Sequence, residues 1–145
     1  MAVRLPRGGF GLGVIARAPS RGKVLLGYFF PVRFHKLPTL DDTLRFSARD
    51  AMLVVIFGDY SLYRREWPVL GRHSRWDRSK WPMPFFSRID EKGKAVRVRY
   101  SEDDPSVCIE EKPCSIREAK NYSEDCVLGS HLLADQLEEL LLPLP

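Results

Sequence analysis

The sequence predicts an α+β fold that is mainly β: a strongly bent antiparallel sheet, or a small half-open barrel, with a C-terminal helix packed on it. Three observations lead there. Short apolar runs separated by clusters of Gly, Pro, Asp and Ser recur from residue 3 to residue 111, the pattern of strands joined by turns. Helical signals are brief everywhere except near the C-terminus. There, Ser130 to Leu142 carries Leu133, Leu137, Leu140 and Leu141 on one stripe, and Pro143 is expected to stop the helix. A few helices set beside an antiparallel sheet is the α+β layering. With 145 residues and 44% hydrophobic content, the chain fits one domain over residues 1–145. It is long enough to bury about two thirds of the surface of its unfolded state.

The elements follow in order. Val3 to Leu5 and Phe10 to Ala18 read as strands around Pro6-Arg7-Gly8-Gly9, a turn built from residues that tolerate unusual backbone angles. After the turn Ala18-Pro19-Ser20-Arg21-Gly22, Lys23 to Phe30 is nearly continuously apolar, as in a strand buried on both faces, and Pro31 is expected to end it. Thr39 with Asp42 three residues on is a variant capping box opening a short helix. Ala51 to Phe57 is the most hydrophobic stretch and reads as a central strand ended by Gly58-Asp59. Phe85 to Ile89 and Ala95 to Tyr100 flank Asp90 to Lys94 as a hairpin. Its alternation of Val96, Val98 and Tyr100 with Arg97 and Arg99 predicts one wet, basic face. Val107 to Glu111 is a further short strand and Ser115 to Lys120 a short helix. There are no internal repeats.

Composition excludes several classes. The 23 Lys+Arg against 19 Asp+Glu give a formal charge of +4. The excess of cations lies before residue 100, whereas residues 101–139 lean acidic, and such asymmetry can steer an oppositely charged partner. No run approaches the roughly 18 apolar residues of a membrane span. Cys108, Cys114 and Cys126 are odd in number and no apolar signal segment precedes the body of the chain, so a reduced, cytoplasmic protein is expected. Their spacing does not match a zinc site, and His35, His73 and His131 are scattered, so no metal and no cofactor are expected.

The most informative stretch is residues 67–86. It holds all three tryptophans, Trp67, Trp76 and Trp81, with Arg72, His73, Arg75, Arg78 and Lys80 between them and three prolines fixing the backbone. Trp and Arg together are the residues most often found where one protein anchors another. Catalytic readings are weaker. Gly8 to Gly13 lacks the spacing of a phosphate-cradling loop and opens a strand. Asp41-Asp42 and Asp103-Asp104 are adjacent pairs without a third ligand, better explained as turns. His73, Ser74 and Asp77 have the residue types of a hydrolytic triad, but groups so close in sequence seldom reach the required geometry, and no nucleophile elbow is present. Arg72, Arg75, Arg78 and Lys80 interleaved with Trp76 and Trp81 would also suit stacked bases and phosphates. Tryptophans pinning a long loop to a sheet, with arginines across the rings, explain the same residues nearly as well. Trp67, accompanied by Val69 and Leu70, is expected in the core; Trp76 and Trp81, surrounded by charge, are expected to be partly exposed.

The succession Gly11-Leu-Gly13-Val-Ile-Ala-Arg17, Gly27-Tyr-Phe-Phe-Pro31, Pro38-Thr-Leu-Asp41, Phe57-Gly-Asp59, Trp67-Pro-Val-Leu-Gly71, Trp76-Asp-Arg-Ser-Lys-Trp-Pro82, Pro84-Phe-Phe86 and Tyr100-Ser-Glu-Asp-Asp104 resembles the immunity protein 26 family of bacterial polymorphic toxin systems over nearly the whole chain. The family usually opens with a longer first strand containing Gly-Asp, where this chain has only Met1 to Leu5. The resemblance implies a non-catalytic protein that binds a cognate toxin effector domain and occludes it stoichiometrically. On that reading the contact candidates are Arg72, Arg75, Trp76, Asp77, Arg78 and Trp81, with Asp59 and Tyr60 as neighbours. Two alternatives belong to other classes. A phosphotriesterase-like hydrolase would need a cluster of His and acidic ligands around two metals, which three dispersed histidines supply poorly. A small nucleic-acid-binding module is the other, although nucleic acid is the disfavoured partner; no membrane is expected, and the sequence leaves the oligomeric state open.

Overall fold

The computed structural model describes residues 1–21, 23–74 and 76–142. The fold is mainly β, with a strongly curled half-barrel sheet and a C-terminal helix. The strands are β1 (Ala2–Arg4), β2 (Phe10–Arg17), β3 (Val24–Phe34), β4 (Leu53–Gly58), β5 (Phe86–Ile89), β6 (Ala95–Tyr100), β7 (Cys108–Cys114), β8 (Ser123–Glu124) and β9 (Val127–Leu128). Helices α1 (Leu40–Thr43), α2 (Tyr60–Tyr63) and α3 (Ile116–Ala119) are single turns; α4 (Ser130–Leu140) is the long one. The curled sheet has strand order β1-β2-β3-β4-β9 and a second sheet has order β7-β6-β5-β8.

Period-two alternation explains how the curled sheet is buried on both faces. Leu25 and Phe29 of β3, with Val55 and Phe57 of β4, join Val3, Trp67, Leu133 and Leu137 in one core beneath α4. Leu26, Tyr28 and Phe30 of β3, with Ile56 of β4, join Leu12, Trp81, Met83, Phe86 and Val98 in a second core beneath the other sheet. Gly27 sits in the first row because nothing larger fits. A Cβ there would lie 2.7 Å from the Phe57 ring and 2.7 Å from that of Phe29. Gly13 on the neighbouring strand makes the same allowance for Phe29, again at 2.7 Å.

The structure departs from the sequence expectations at several points, each for a physical reason. Pro31 does not end β3. The register jumps between Gly11↔Arg33 and Leu12↔Phe30, so Pro31 lies in a bulge, where no ladder hydrogen bond is asked of its missing N–H. A second register shift follows between Ile15 and Arg17, and bulges bend the strand that carries them. Beside the expected bent sheet the strands form a second, smaller one. Each also ends in a two-residue parallel pairing, β4 with β9 and β5 with β8. β7 continues beyond Glu111 through Pro113, tolerated because β7 is an edge strand. The Arg97 and Arg99 face of β6 is not simply basic: Arg97 pairs with Glu118 at 3.4 Å and Glu110 at 3.6 Å, and Glu110 lies opposite Arg99 in register.

The capping box at Thr39 and Asp42 is present. The turn at Gly8 and Gly9 uses positive φ at both. On α4, Leu133, Leu137 and Leu141 face the core as expected, but Leu140 is half exposed. The buried arc is centred nearer Ala134 and takes in Glu138 instead. Its carboxylate accepts from the Arg7 backbone N–H at 3.0 Å and from the Arg33 guanidinium at 2.6 Å. Arg33 also donates to the Gly8 carbonyl at 2.7 Å, so one carboxylate ties α4 to the first hairpin. Pro143 lies outside the described residues.

Candidate functional site

The tryptophan segment is a strap over the edge of the curled sheet. It starts under α4, where Trp67 is 4% exposed and its ring lies 6.3 Å from that of Phe57. At the edge it is held by a hydrogen bond from the Ala2 N–H to the Pro68 carbonyl, 2.9 Å. Leu70 already packs against the second core, and the strap ends there with Trp81, 7% exposed. The Trp81 ring meets Tyr28 edge-on at 5.2 Å and Phe30 at 6.2 Å, and the Tyr28 hydroxyl donates to the Pro82 carbonyl. Two buried indoles therefore anchor the strap on opposite faces of one sheet, each burying on the order of 150–250 Å².

Trp81 is thus a core residue and not the partly exposed one its charged neighbours suggest. The strand residues beneath it, Tyr28 and Phe30, are distant in sequence. The charged side chains around it belong to a 3-10 turn at Arg78–Lys80 and point outward. Trp76 is 36% exposed as expected, and its ring stacks on that of Trp81 at 6.0 Å with an 11° interplanar angle. The exposed indole is held in place by the buried one.

Asp77 caps the 3-10 turn, its carboxylate accepting from the Ser79 hydroxyl at 2.6 Å and the Ser79 N–H at 3.0 Å. Those two bonds hold its carboxyl below the usual range. Asp77 thus serves local structure, its Oδ1 taking both bonds of the cap. Lys80 lies 3.9 Å from Asp77, an exposed contact of small energetic value.

Arg78 binds the loop after β6: it donates to the Glu102 carbonyl and pairs with Asp103 at 2.9 Å. Glu102 is shared with Arg17, whose side chain is almost wholly buried. The Arg17 guanidinium reaches the Glu102 carboxylate at 2.5 Å, the Glu102 carbonyl at 2.9 Å and the Ala16 carbonyl at 2.8 Å. Burial alone would raise the Glu102 carboxyl, but the hydrogen bond and charge of Arg17, with Arg78 beside it, bring it below its ordinary value. Sequence reasoning did not single out this Arg17–Glu102–Arg78 bridge. The only signal was the presence of Arg17 and Glu102 in two pieces of the family pattern.

Between strap and sheet edge lies a groove of about 660 Å³, lined by β2 residues Val14 to Arg17, by Leu40 and Thr43, and by Val69, Arg72, Trp76 and Arg78. Of the contact candidates, Arg72, Trp76 and Arg78 come together here. Arg75 lies outside the described residues. Asp59 and Tyr60 do not line the groove; they open α2, where the Asp59 N–H donates to the Lys23 carbonyl and Tyr60 is exposed.

No group of three or more His, Cys, Asp and Glu side chains able to hold a metal occurs among the described residues, and none of their helices is long and apolar enough to cross a membrane. No curated protein and no solved structure matches the chain. The Immunity protein 26 family matches residues 1–96, which takes in the curled sheet up to β4, the strap and the β5–β6 hairpin as far as Val96, and leaves Tyr100 to Asp104 outside. The strap, with both of its anchoring tryptophans, falls wholly inside that match, and the chain belongs to the Immunity protein 26 family.

Proposed function

We propose that the protein is an immunity protein that binds the effector domain of a cognate bacterial toxin and neutralises it by stoichiometric occlusion, without turnover. Family membership supports a toxin-immunity role. The observation that carries the reading further is the strap. An aromatic residue, Trp76, is presented to solvent on a backbone fixed at both ends by buried indoles. Affinity is gained when an anchor side chain needs no ordering on binding, because the entropic cost has been met by folding. Trp76 and Arg72 are the two contact residues of this proposal; Trp81, Asp77 and Arg78 hold them in position, and Asp59 and Tyr60 offer a separate exposed surface.

A nucleic-acid partner is less well supported, because Arg78 and Lys80 already face carboxylates of the same chain. The test is co-expression with the toxic C-terminal domain encoded beside the gene, followed by titration of the purified pair. A one-to-one complex that abolishes toxicity is expected. Toxicity unchanged by saturating protein overturns the reading. Steep salt-dependent binding of single-stranded oligonucleotides would favour the nucleic-acid class instead.

A further inference from the structure

We infer that the turn formed by α2 and the two residues after it, Tyr60 to Arg65, is a second contact surface for the partner protein, with Tyr63 as its aromatic anchor and Arg64 and Arg65 meeting carboxylates of the effector domain. This rests on the immunity reading and adds to the strap a surface made of different residues.

The first support is how the turn ends. The Glu66 N–H donates to the Ser61 carbonyl at 2.9 Å and the Arg65 N–H to the Leu62 carbonyl at 3.0 Å. These are the two bonds of the Schellman motif, in which the residue just past the helix is left-handed and is usually glycine. Here it is Arg65, at φ 59°, the one described residue other than glycine with a positive φ. A Cβ makes that conformation costly, and glycine would relieve it. Residues held in such conformations cluster at functional sites. The Arg65 side chain is thus kept against the preference of its own backbone, and it is exposed.

The second support is that the turn is held from below. Ser61 is buried: its N–H donates to the Ser130 hydroxyl at 3.2 Å, and its carbonyl also accepts from the Trp67 N–H at 3.2 Å. Leu62 packs against the core that contains Trp67. On that base Tyr60 and Tyr63 are 56% and 81% exposed, three residues apart and so on one side of the turn. Tyr and Arg are enriched among the residues that dominate binding energy, and a backbone already fixed need not be ordered when they bind. The third support is charge. The ion pairs among the described residues all draw their carboxylates from residue 77 onward, and none includes Arg64 or Arg65. Glu66 accepts from the Ser61 hydroxyl at 3.1 Å and lines a depression on the α4 side with His131 and Asp135, whereas Asp59 caps the start of the turn. Two guanidinium forks without counter-ions match carboxylates, which they can bind through paired hydrogen bonds. The acids at either end of the turn would repel the continuous charge of a nucleic-acid strand, and so favour a carboxylate patch on a protein.

The test is calorimetric titration of the effector domain encoded by the adjacent gene into wild type, Tyr63→Ala, Arg64→Glu and Arg65→Gly, with the melting temperature of each free protein. Tyr63→Ala and Arg64→Glu should each weaken binding by about tenfold or more with melting unchanged. Arg65→Gly should melt about 2–4 °C above wild type and still bind about tenfold more weakly, as expected of a residue kept for contact although it destabilises the fold. A tight complex whose affinity none of the three substitutions alters overturns the assignment and leaves the immunity reading standing. Absence of any complex with wild type overturns both. Weaker binding by Tyr63→Ala with a matching fall in melting makes that ring structural and overturns the assignment. So does a wild-type dimer in sedimentation that Tyr63→Ala dissolves, which gives the surface to a second copy, or oligonucleotide binding that Arg64→Glu abolishes while the effector domain binds unchanged.

Discussion

Replacing Trp81 and Trp76 separately by alanine distinguishes an anchor from a presented surface, although the two rings are stacked. Trp81 is 7% exposed, and burying about 200 Å² of ring at about 25 cal/mol/Å² corresponds to about 5 kcal/mol. Large-to-small changes of this type cost about 3–5 kcal/mol in cores. Loss of the edge-on contacts with Tyr28 and Phe30 falls within that figure, because the cavity is lined by the same rings. Trp76 is 36% exposed and has a single ring partner, so its removal should cost about 1–2 kcal/mol. At about 3 °C per kcal/mol for a chain of this size, Trp81→Ala should lower Tm by about 9–15 °C and Trp76→Ala by about 3–6 °C. Differential scanning calorimetry gives both numbers. Co-expression with the toxic domain should find Trp76→Ala folded and non-protective. Equal melting shifts, or a larger one at Trp76, would refute the reasoning that the strap is held from Trp81.

Other predictions concern the frame around the strap. Gly27→Ala should cost about 1–3 kcal/mol by overpacking against Phe29 and Phe57, and Phe29→Leu in the same chain should cost less than the sum of the two changes, which a double-mutant cycle in urea measures. Glu138→Gln should cost about 1–2 kcal/mol at pH 7, read by the same denaturation. Burial opposes the charge of Glu138, but the bonds from Arg7 and Arg33 outweigh it and hold the carboxyl below its ordinary value. A lowered folded value means that the stabilisation is present above the unfolded pKa of about 4.3 and is lost as pH falls through the folded value, so wild type and variant should converge towards pH 3. Arg78→Glu would set a third carboxylate beside Glu102 and Asp103 and should lower stability by about 0.5–1 kcal/mol, whereas Arg72→Glu should stay within about 0.5 kcal/mol of wild type by melting.

Much of the fold was legible because its signals are local. The run at residues 51–57, the turn at Gly8-Gly9, the capping box at Thr39 and the leucines of α4 each depend on neighbours within a few positions. What the sequence hid depends on distant partners. Pro31 reads as a strand end unless the bulge opposite Gly11 and Leu12 is known. Arg97 and Arg99 read as a basic face until Glu110 and Glu118 are brought beside Arg97. Pairings as short as β8 and β9 contain too few residues for any periodicity. At the site, Trp67 was readable from the apolar residues that follow it, but Trp81 was not, because the outward charges of the 3-10 turn are its sequence neighbours and Tyr28 and Phe30 are its spatial ones. The groove was invisible for the same reason: its lining comes from β2, α1 and the strap, which are distant in sequence.

Anchoring the strap at its two ends has an evolutionary consequence. Exposed strap positions such as Val69 and Arg72 contribute little to either core, so replacements there are nearly free of folding cost, while the indoles at each end keep the path of the backbone constant. On the proposed immunity reading, the recognised partner can change through those positions while the scaffold stays as it is.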